Sequence, residues 1–547
     1  MKSIITCLAL FLAVHESAAQ IKLSFLNFND FHARFAPITI DGGDCKPGDN
    51  ELGLCYGGIA RLYTAMMERR NTMTNPILLN AGDNFQGTLL YTLFRWNITL
   101  EFMRQFNFDA SALGNHEFDH GLEGIVPYIE GLGSPVVAAN IDASQEPSID
   151  GKFVPSVTIE REGTKIGIIG CITPYTSSMS TSGNLQFLDE IQPVTAEAQR
   201  LKASGVEIIV LLSHSGYDRD INMANQIPEL DIIVGSHSHT FLYTGTPPSN
   251  ETPEGEYPTV VTQAAGHKCL IVQAKAFSKY LGVLEVDFDA AGEVLSWTGN
   301  PVLLDASVAE DPTLVTMLKP WAEEANIIGD QVLGSTAVYL ESTTCYDGEC
   351  TMGSFLADAM IYEHTEVVDD DGWTNAAIAI MNPGGIRGPM GESSTITVND
   401  LFTAQPFQNT IDTIELQGKD IFELMEQAAT RPAFKSWRSS RFSEGRGCFQ
   451  VAGIHSTYNL SNPAGSRLID LKLRCARCRI PEYLPVELET WYVVVMPSFL
   501  AGGTSYPLIG ERGRNKTVGR VDVEVFADYI KSQSPIITAV EGRTTVV

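Results

Sequence analysis

A chain of 547 residues is too long for a single hydrophobic core and requires two or more domains. Its 44% hydrophobic and 19% charged residues, with no long biased tract, exclude a disordered or fibrous protein. The formal net charge of −29 excludes nucleic acid and an anionic membrane surface as partners, because both select a basic face; an anionic substrate would need local positive charge, for which metal ions are the obvious source.

In chain order, Met1-Lys2, the apolar run Ile4 to Val14 and the small residues Ser17-Ala18-Ala19 read as a secretory signal over residues 1–19, with the mature chain starting at Gln20. That run is shorter than the roughly 20 apolar residues needed to span a bilayer, and no later stretch reaches that length. Thr538 to Val547 carries no hydrophobic tail, so the expectation is a secreted, extracellular protein without a membrane anchor. Sequons at Asn97, Asn250, Asn459 and Asn515 are candidate glycosylation sites on the same route. Of the ten cysteines, Cys7 lies in the signal. Cys45/Cys55, Cys345/Cys350 and Cys475/Cys478 each bracket a turn-rich segment and are expected as three loop-closing disulfides. Cys475 and Cys478 also suit half of a zinc ribbon, but no second C-x2-C follows. Cys171, Cys269 and Cys448 are left over, two of them in apolar strand-like runs that suggest buried thiols.

From Lys22 to Val286, short β-rich runs alternate with helical stretches: Leu23–Asn27, Ile77–Asn80, Ala110–Leu113, Val136–Ala139, Ile166–Gly170, Ile208–Leu212, Ile232–Val234 and Val260–Gln263. This is the pattern of an α/β layered domain. Most of the runs end in a cluster of Asp, Asn or His, so one edge of the sheet collects polar residues, where open α/β proteins place their sites. Pro312 to Asn326, rich in Ala, Glu and Leu, predicts a connecting helix within a linker at 311–334. Strands and helices resume from Ser335 to the end as a second α/β domain, giving a boundary set of 20–310, 311–334 and 335–547.

Five motifs stand at the strand ends: Asn29-Asp30-Phe31-His32, Ala81-Gly82-Asp83-Asn84, Gly114-Asn115-His116-Glu117-Phe118-Asp119, Ser213-His214-Ser215 and Gly235-Ser236-His237-Ser238-His239. A lone strand-end carboxylate more often caps a turn. Here, however, five of the chain's ten histidines fall in such motifs, and Asp, Asn and His are ligands suited to zinc, manganese or iron. The set predicts a dinuclear metal site.

These motifs, in this order, resemble those of the calcineurin-like metallophosphoesterases, and Asn382-Pro-Gly-Gly-Ile-Arg387 narrows the resemblance to the 5′-nucleotidase family, which includes apyrases secreted in the saliva of blood-feeding arthropods. The resemblance covers almost the whole mature chain. It implies an N-terminal four-layer αββα metallophosphoesterase domain joined by a helix to a C-terminal α/β nucleotide-binding domain. It implies two divalent ions, zinc in the usual case, with calcium, magnesium or manganese as alternatives. Asp30, His32 and His239 would hold one, Asn115, His214 and His237 the other, with Asp83 bridging. His116 and Asp119 match the family's catalytic dyad; on its residue type alone His116 is also a candidate metal ligand. Asn382 and Arg387 match substrate-binding positions, and Phe407 with Phe499 the pair that sandwiches the base. Each Phe taken alone is more often a core-packing residue, and only the resemblance reverses that reading.

The implied activity is release of phosphate from extracellular ATP and ADP, with limitation of platelet aggregation as the role. Alternatives are a 5′-nucleotidase that converts AMP to adenosine, or a non-catalytic nucleotide or platelet-receptor binder on the same fold. Two departures from the family bear on substrate preference. Tyr346 stands after Cys345 where nucleotidases of the family often carry an Arg, which removes a fork of phosphate-facing donors. The loop Phe499 to Tyr506 is one residue shorter than usual and has Thr504 where the family places a ribose-binding Asp.

Overall fold

The computed structural model describes residues 21–46, 48–365, 372–429, 448–503 and 505–547. The expected signal, Cys7, Gln20 and Thr504 lie outside the described residues. Each of the eight runs expected as strands is a strand, with ends shifted by up to two residues.

Those strands build two facing sheets. The first runs Val294–Gly299, Tyr280–Phe288, Ile21–Phe28, Pro76–Asn80, Ala110–Ala112, Val136–Val137 in spatial order. The second runs Thr259–Thr262, Lys268–Val272, Ile232–Val234, Ile208–His214, Thr164–Ile172, Ser156–Arg161. Alternation along Ile21–Phe28 sorts the side chains between two layers. Leu23 and Phe25 join Ile77, Leu79, Val210 and Ile232 between the sheets, while Leu26 and Phe28 meet Leu62 and Met66 of the helix Ile59–Thr72 on the outer face. The central strand Ile208–His214 is buried at every residue because helices Ile191–Ala203 and Tyr217–Gln226 cover its other side. The result is a helix–sheet–sheet–helix stack. In both sheets the central strands are parallel, so their carboxyl ends, and the polar motifs that follow, gather at one edge.

The connecting helix spans Pro312–Gly329, three residues past the expected end. Asp311 caps it by accepting from Thr313 N at 2.9 Å and Leu314 N at 3.0 Å, and Pro312 occupies the first turn, where no N–H is needed. Beyond it a five-stranded sheet, ordered Gln450–Ala452, Ile378–Met381, Trp491–Pro497, Ile411–Gln417, Arg514–Thr517, is covered by helix Thr351–Tyr362 on one face and Gly418–Ala429 on the other. A four-stranded sheet of Tyr483–Pro485, Leu468–Arg474, Ile454–Tyr458 and Thr544–Val546 completes this half.

Disulfides join Cys45–Cys55, Cys345–Cys350 and Cys475–Cys478, and Cys171, Cys269 and Cys448 are buried thiols. Asn97, Asn250 and Asn515 are exposed and Asn459 is half-buried. Among the described residues no helix is long and apolar enough to cross a membrane.

Candidate active site

The carboxyl-edge loops bring Asp30, His32, Asp83, His116, His214, His237 and His239 into one buried cluster. Three overlapping groups share it: Asp30/His32/His239, His32/Asp83/His116 and Asp83/His214/His237. Asp83 therefore sits between the two ends. The local backbone is strained to achieve this: Asp30, His32, Asp83, His237 and His239 all have positive φ, between 48° and 70°, a region that non-glycine residues seldom occupy. Asp30 is fixed by Asn29 Nδ2 at 2.7 Å, Ser236 Oγ at 2.8 Å and the His237 N–H at 3.1 Å, so the first and last motifs hold each other.

The donor set fits divalent cations. His214 Nδ1 lies 2.8 Å from the Ala81 carbonyl and must carry its hydrogen there, leaving the Nε2 lone pair 3.1 Å from Asp83 Oδ2. Likewise His32 Nδ1 meets the Gln86 carbonyl at 3.2 Å while its Nε2 faces His239 Nε2 at 3.1 Å. These inward-facing nitrogens and carboxylate oxygens are the donor atoms a divalent cation would take. His214 Nε2 and Asn115 Oδ1 are also buried without a hydrogen-bond partner. Burial holds His237 down at about 3 and His239 at about 4, so both are neutral and in the ligating form. For His214, burial opposes charge but Asp83 outweighs it and sets the imidazole at about 9, so a proton competes with a cation for that one gap. The same pattern, Nδ1 on a backbone carbonyl and Nε2 turned inward, recurs at His32, and the three overlapping acid–histidine groups suit cations across the whole cluster.

Beside the cluster, His116 Nδ1 donates to Asp119 Oδ2 at 2.7 Å, and the His116 N–H donates to Asp83 Oδ1 at 2.9 Å. Burial acts against a charged His116, yet Asp119 and Asp83 raise it above the ordinary 6.5. From the second domain Arg387 Nη2 reaches His116 Nε2 at 3.2 Å, and the Phe407 ring stacks on the imidazole with centroids 5.4 Å apart and planes inclined by 21°. The Arg387 guanidinium in turn lies 4.9 Å from the Phe407 ring centroid. Asn382, Arg387, Phe407 and Phe499 line one cavity of about 290 Å³ together with Asp83, Asn115 and the dyad. Tyr346 lines a second, adjoining cavity.

Three contributors carry no role in the sequence reading. The Glu117 carboxylate accepts the backbone N–H of Asp83 at 2.9 Å, Asn84 at 2.6 Å, Phe85 at 3.2 Å and Gly114 at 2.6 Å, tying two site loops together. Its place inside the Gly114–Asp119 motif is the available signal. Arg34, 1% exposed, donates from Nη1 to the Gly87 carbonyl and from Nη2 to the Arg387 carbonyl at 3.4 Å. Its signal is its position two residues after His32. Lys275 lines the second cavity, its N–H donating to the Thr240 carbonyl at 3.1 Å and its carbonyl accepting from Asn29 Nδ2 at 2.6 Å; no motif surrounds it, so the sequence carries no signal for it.

Fold and site together define a metal-dependent phosphoesterase class: two packed α/β sheets with an acid–histidine cluster at their carboxyl edge, faced by a second α/β domain. Comparison with known proteins agrees and narrows it. The calcineurin-like phosphoesterase family matches residues 23–241, and the family described as 5′-nucleotidase, C-terminal domain matches residues 332–511. The chain is 40% identical to an apyrase of Tabanus yao over 532 residues, 96% of this chain and 94% of that protein. It is 37% identical to a 5′-nucleotidase of Homo sapiens, covering 98% of this chain and 93% of the relative. The crystal structure of a 5′-nucleotidase precursor from Thermus thermophilus is similar with a TM-score of 0.84 and 33% identity, covering 96% and 99% of the two chains. The chain belongs to the 5′-nucleotidase family and is a metal-dependent nucleotide phosphohydrolase.

Proposed function

We propose that this protein is a secreted, apyrase-like enzyme that removes phosphate from extracellular ATP and ADP, and that by lowering ADP it limits platelet aggregation. The observation that carries the nucleotide reading is the meeting of Arg387 and Phe407 with His116 beside the metal-ligand cluster. The 40% identity to a protein named apyrase favours ATP and ADP, and the three disulfides favour an oxidising compartment. The 37% identity to a human 5′-nucleotidase supports AMP as the alternative substrate. We take residues 20–310 and 335–547 as the two domains, with 311–334 as linker.

In this reading Asp30, His32 and His239 would hold one divalent ion and Asn115, His214 and His237 the second, with Asp83 placed to serve both; zinc would be the first choice for so many imidazoles. Such a pair, when bound, acidifies water and withdraws charge from a phosphoryl oxygen. Phe407 and Phe499 receive the base and Asn382 the adjoining polar atoms, with sequence tolerance because every base presents a π-face. Arg387 takes phosphate oxygens through its fork of donors. That step frees His116 Nε2 from the guanidinium. Asp119 and Asp83 then favour a proton on Nε2, and the imidazolium stabilises charge developing on the transferred phosphoryl group and the departing oxygen.

The test is phosphate release from ATP, ADP and AMP by purified protein supplied with divalent metal, with Asp83→Ala as control. Turnover of ATP and ADP without AMP supports the apyrase reading, AMP turnover replaces it with a 5′-nucleotidase, and silence on all three points to a binder.

A further inference from the structure

The second cavity, about 260 Å³, adjoins the cluster on the side that Phe407 and Phe499 do not reach. His239 and Arg387 line both cavities, so the two meet at the metal-ligand cluster. Its lysines are Lys275 and Lys279. Lys279 is paired with Glu251, its Nζ 2.5 Å from Oε1, and donates to the Ile40 carbonyl at 2.7 Å, while Lys275 acts electrostatically on both Glu251 and His239. The loop Cys345–Cys350 contributes Tyr346 and Asp347 to the wall, neither of them a cation. Of the two lysines, Lys275 is the one whose chain position is set by the metal-ligand loops themselves.

The backbone that carries Lys275 is bolted to both ends of one metal-ligand group. The Lys275 N–H donates to the Thr240 carbonyl at 3.1 Å, next to His239, and the Lys275 carbonyl accepts from Asn29 Nδ2 at 2.6 Å, next to Asp30. The Ala274 N–H donates to Asn29 Oδ1 at 2.9 Å and the Phe277 N–H to the Asp30 carbonyl at 2.8 Å. Within this short loop Lys275, Phe277 and Ser278 all have positive φ, 63°, 63° and 57°. Three non-glycine residues held left-handed in four positions cost free energy, and strain of this kind gathers at functional sites. The chain as a whole carries −29, so an anionic ligand is repelled except where charge is placed for it.

We propose that Lys275 is a substrate-binding residue for the phosphate end: from the second cavity its ammonium takes an oxygen of the phosphoryl group being transferred and of the inorganic phosphate that leaves. It supplies from the first domain the charge that the Cys345–Cys350 loop of the second domain, with Tyr346, does not. The proposal rests on the reading of the cluster as the phosphate-processing centre and says which residue of this chain completes it.

The test uses the full-length, metal-loaded protein with Lys275→Met and Lys275→Arg. Binding of inorganic phosphate is read by calorimetry, binding of adenosine as a probe of the nucleoside end, and metal content by elemental analysis. Loss of one charge-assisted hydrogen bond predicts that Lys275→Met weakens phosphate binding about tenfold to a hundredfold. Lys275→Arg should restore most of it, with adenosine binding and metal content unchanged. Equal phosphate affinity in wild type and Lys275→Met overturns the proposal, as does a loss of phosphate binding that merely follows a loss of metal. Failure of the functional reading is separate: a protein that releases no phosphate from any nucleotide but loses phosphate affinity on Lys275→Met keeps this inference and discards that one.

Discussion

At His116 the imidazole is engaged on three sides: Asp119 holds Nδ1, Arg387 reaches Nε2, and Phe407 covers the face. The ring cannot turn, so its second proton position is aimed into the cavity. His116→Ala should therefore lower kcat by about 10² to 10⁴, the range for a positioned proton donor, with metal content unchanged. Phosphate release and elemental analysis on the same sample check this; loss of metal alongside activity would reassign His116 as a ligand. Phe407 tests the other end of the substrate. If its ring stacks on the base, Phe407→Ala should cost about 1–3 kcal/mol of nucleotide binding, a rise in KM of roughly 5- to 150-fold, with a smaller loss on p-nitrophenyl phosphate that reports only the uncovered His116 ring. An equal loss on both substrates would return Phe407 to a packing role.

At the scale of elements, the strand-end loops are shaped by contacts that short motifs only partly announce. The motif residues were legible because buried β-runs end abruptly in Asp, Asn and His, and a parallel sheet puts such ends together. What ties the loops was not. Glu117 sat in plain view within its motif, but four backbone N–H groups converging on one carboxylate come from residues 83–85 and 114, which only the fold brings together. Lys275 was invisible because left-handed backbone at non-glycine residues has no sequence signature. Gly114 makes a clean probe of this packing. Its φ of −99° suits any residue, but a Cβ there would overlap Asp83 and stand 2.7 Å from His214 Cε1. Gly114→Ala should thus displace Asp83 and empty the metal site while leaving the two sheets folded, read by elemental analysis beside far-UV circular dichroism.

The segment that presents Phe407 is anchored in the same way by Asp522, whose carboxylate accepts the N–H of Asn409 at 3.0 Å and of Val523 at 2.6 Å. Burial lifts this carboxyl from 3.8 to about 7. The folded chain then keeps a proton that the unfolded chain surrenders near its ordinary pKa. Its stabilising contribution is full below about pH 4 and is lost as pH rises to about 7, at a slope of at most about 1.4 kcal/mol per pH unit. Asp522→Asn should flatten this part of the pH profile, so that the wild type loses ground to the variant in denaturant midpoint from pH 4 to 7. Parallel curves would show that Asp522 does not titrate in this window.

The whole molecule divides the work: the metal-ligand candidates and the His116–Asp119 pair lie between residues 30 and 239, the proposed base and phosphate grips between 382 and 499, and the cavity is lined from both halves. Away from the cavity the halves are also joined by a latch from the start of the Cys45–Cys55 loop onto the helix Val398–Ala404. Asp44 accepts from Thr403 Oγ1 at 2.9 Å and from Asn399 Nδ2, and Lys46 pairs with Asp400. None of these side chains lines the cavity with Phe407 and the dyad, although Asp44 also faces the buried Arg34 guanidinium. Three polar contacts at about 0.5–1.5 kcal/mol each, partly solvent-screened, put the latch near 2 kcal/mol. Asp44→Ala with Lys46→Met should raise KM for every nucleotide by about tenfold and leave kcat undiminished, since opening frees product as readily as it loosens substrate. Small-angle scattering should show a larger radius of gyration for the double variant without ligand. An unchanged KM and an unchanged radius would mean that Arg387 and Phe407 against His116 suffice to hold the halves together.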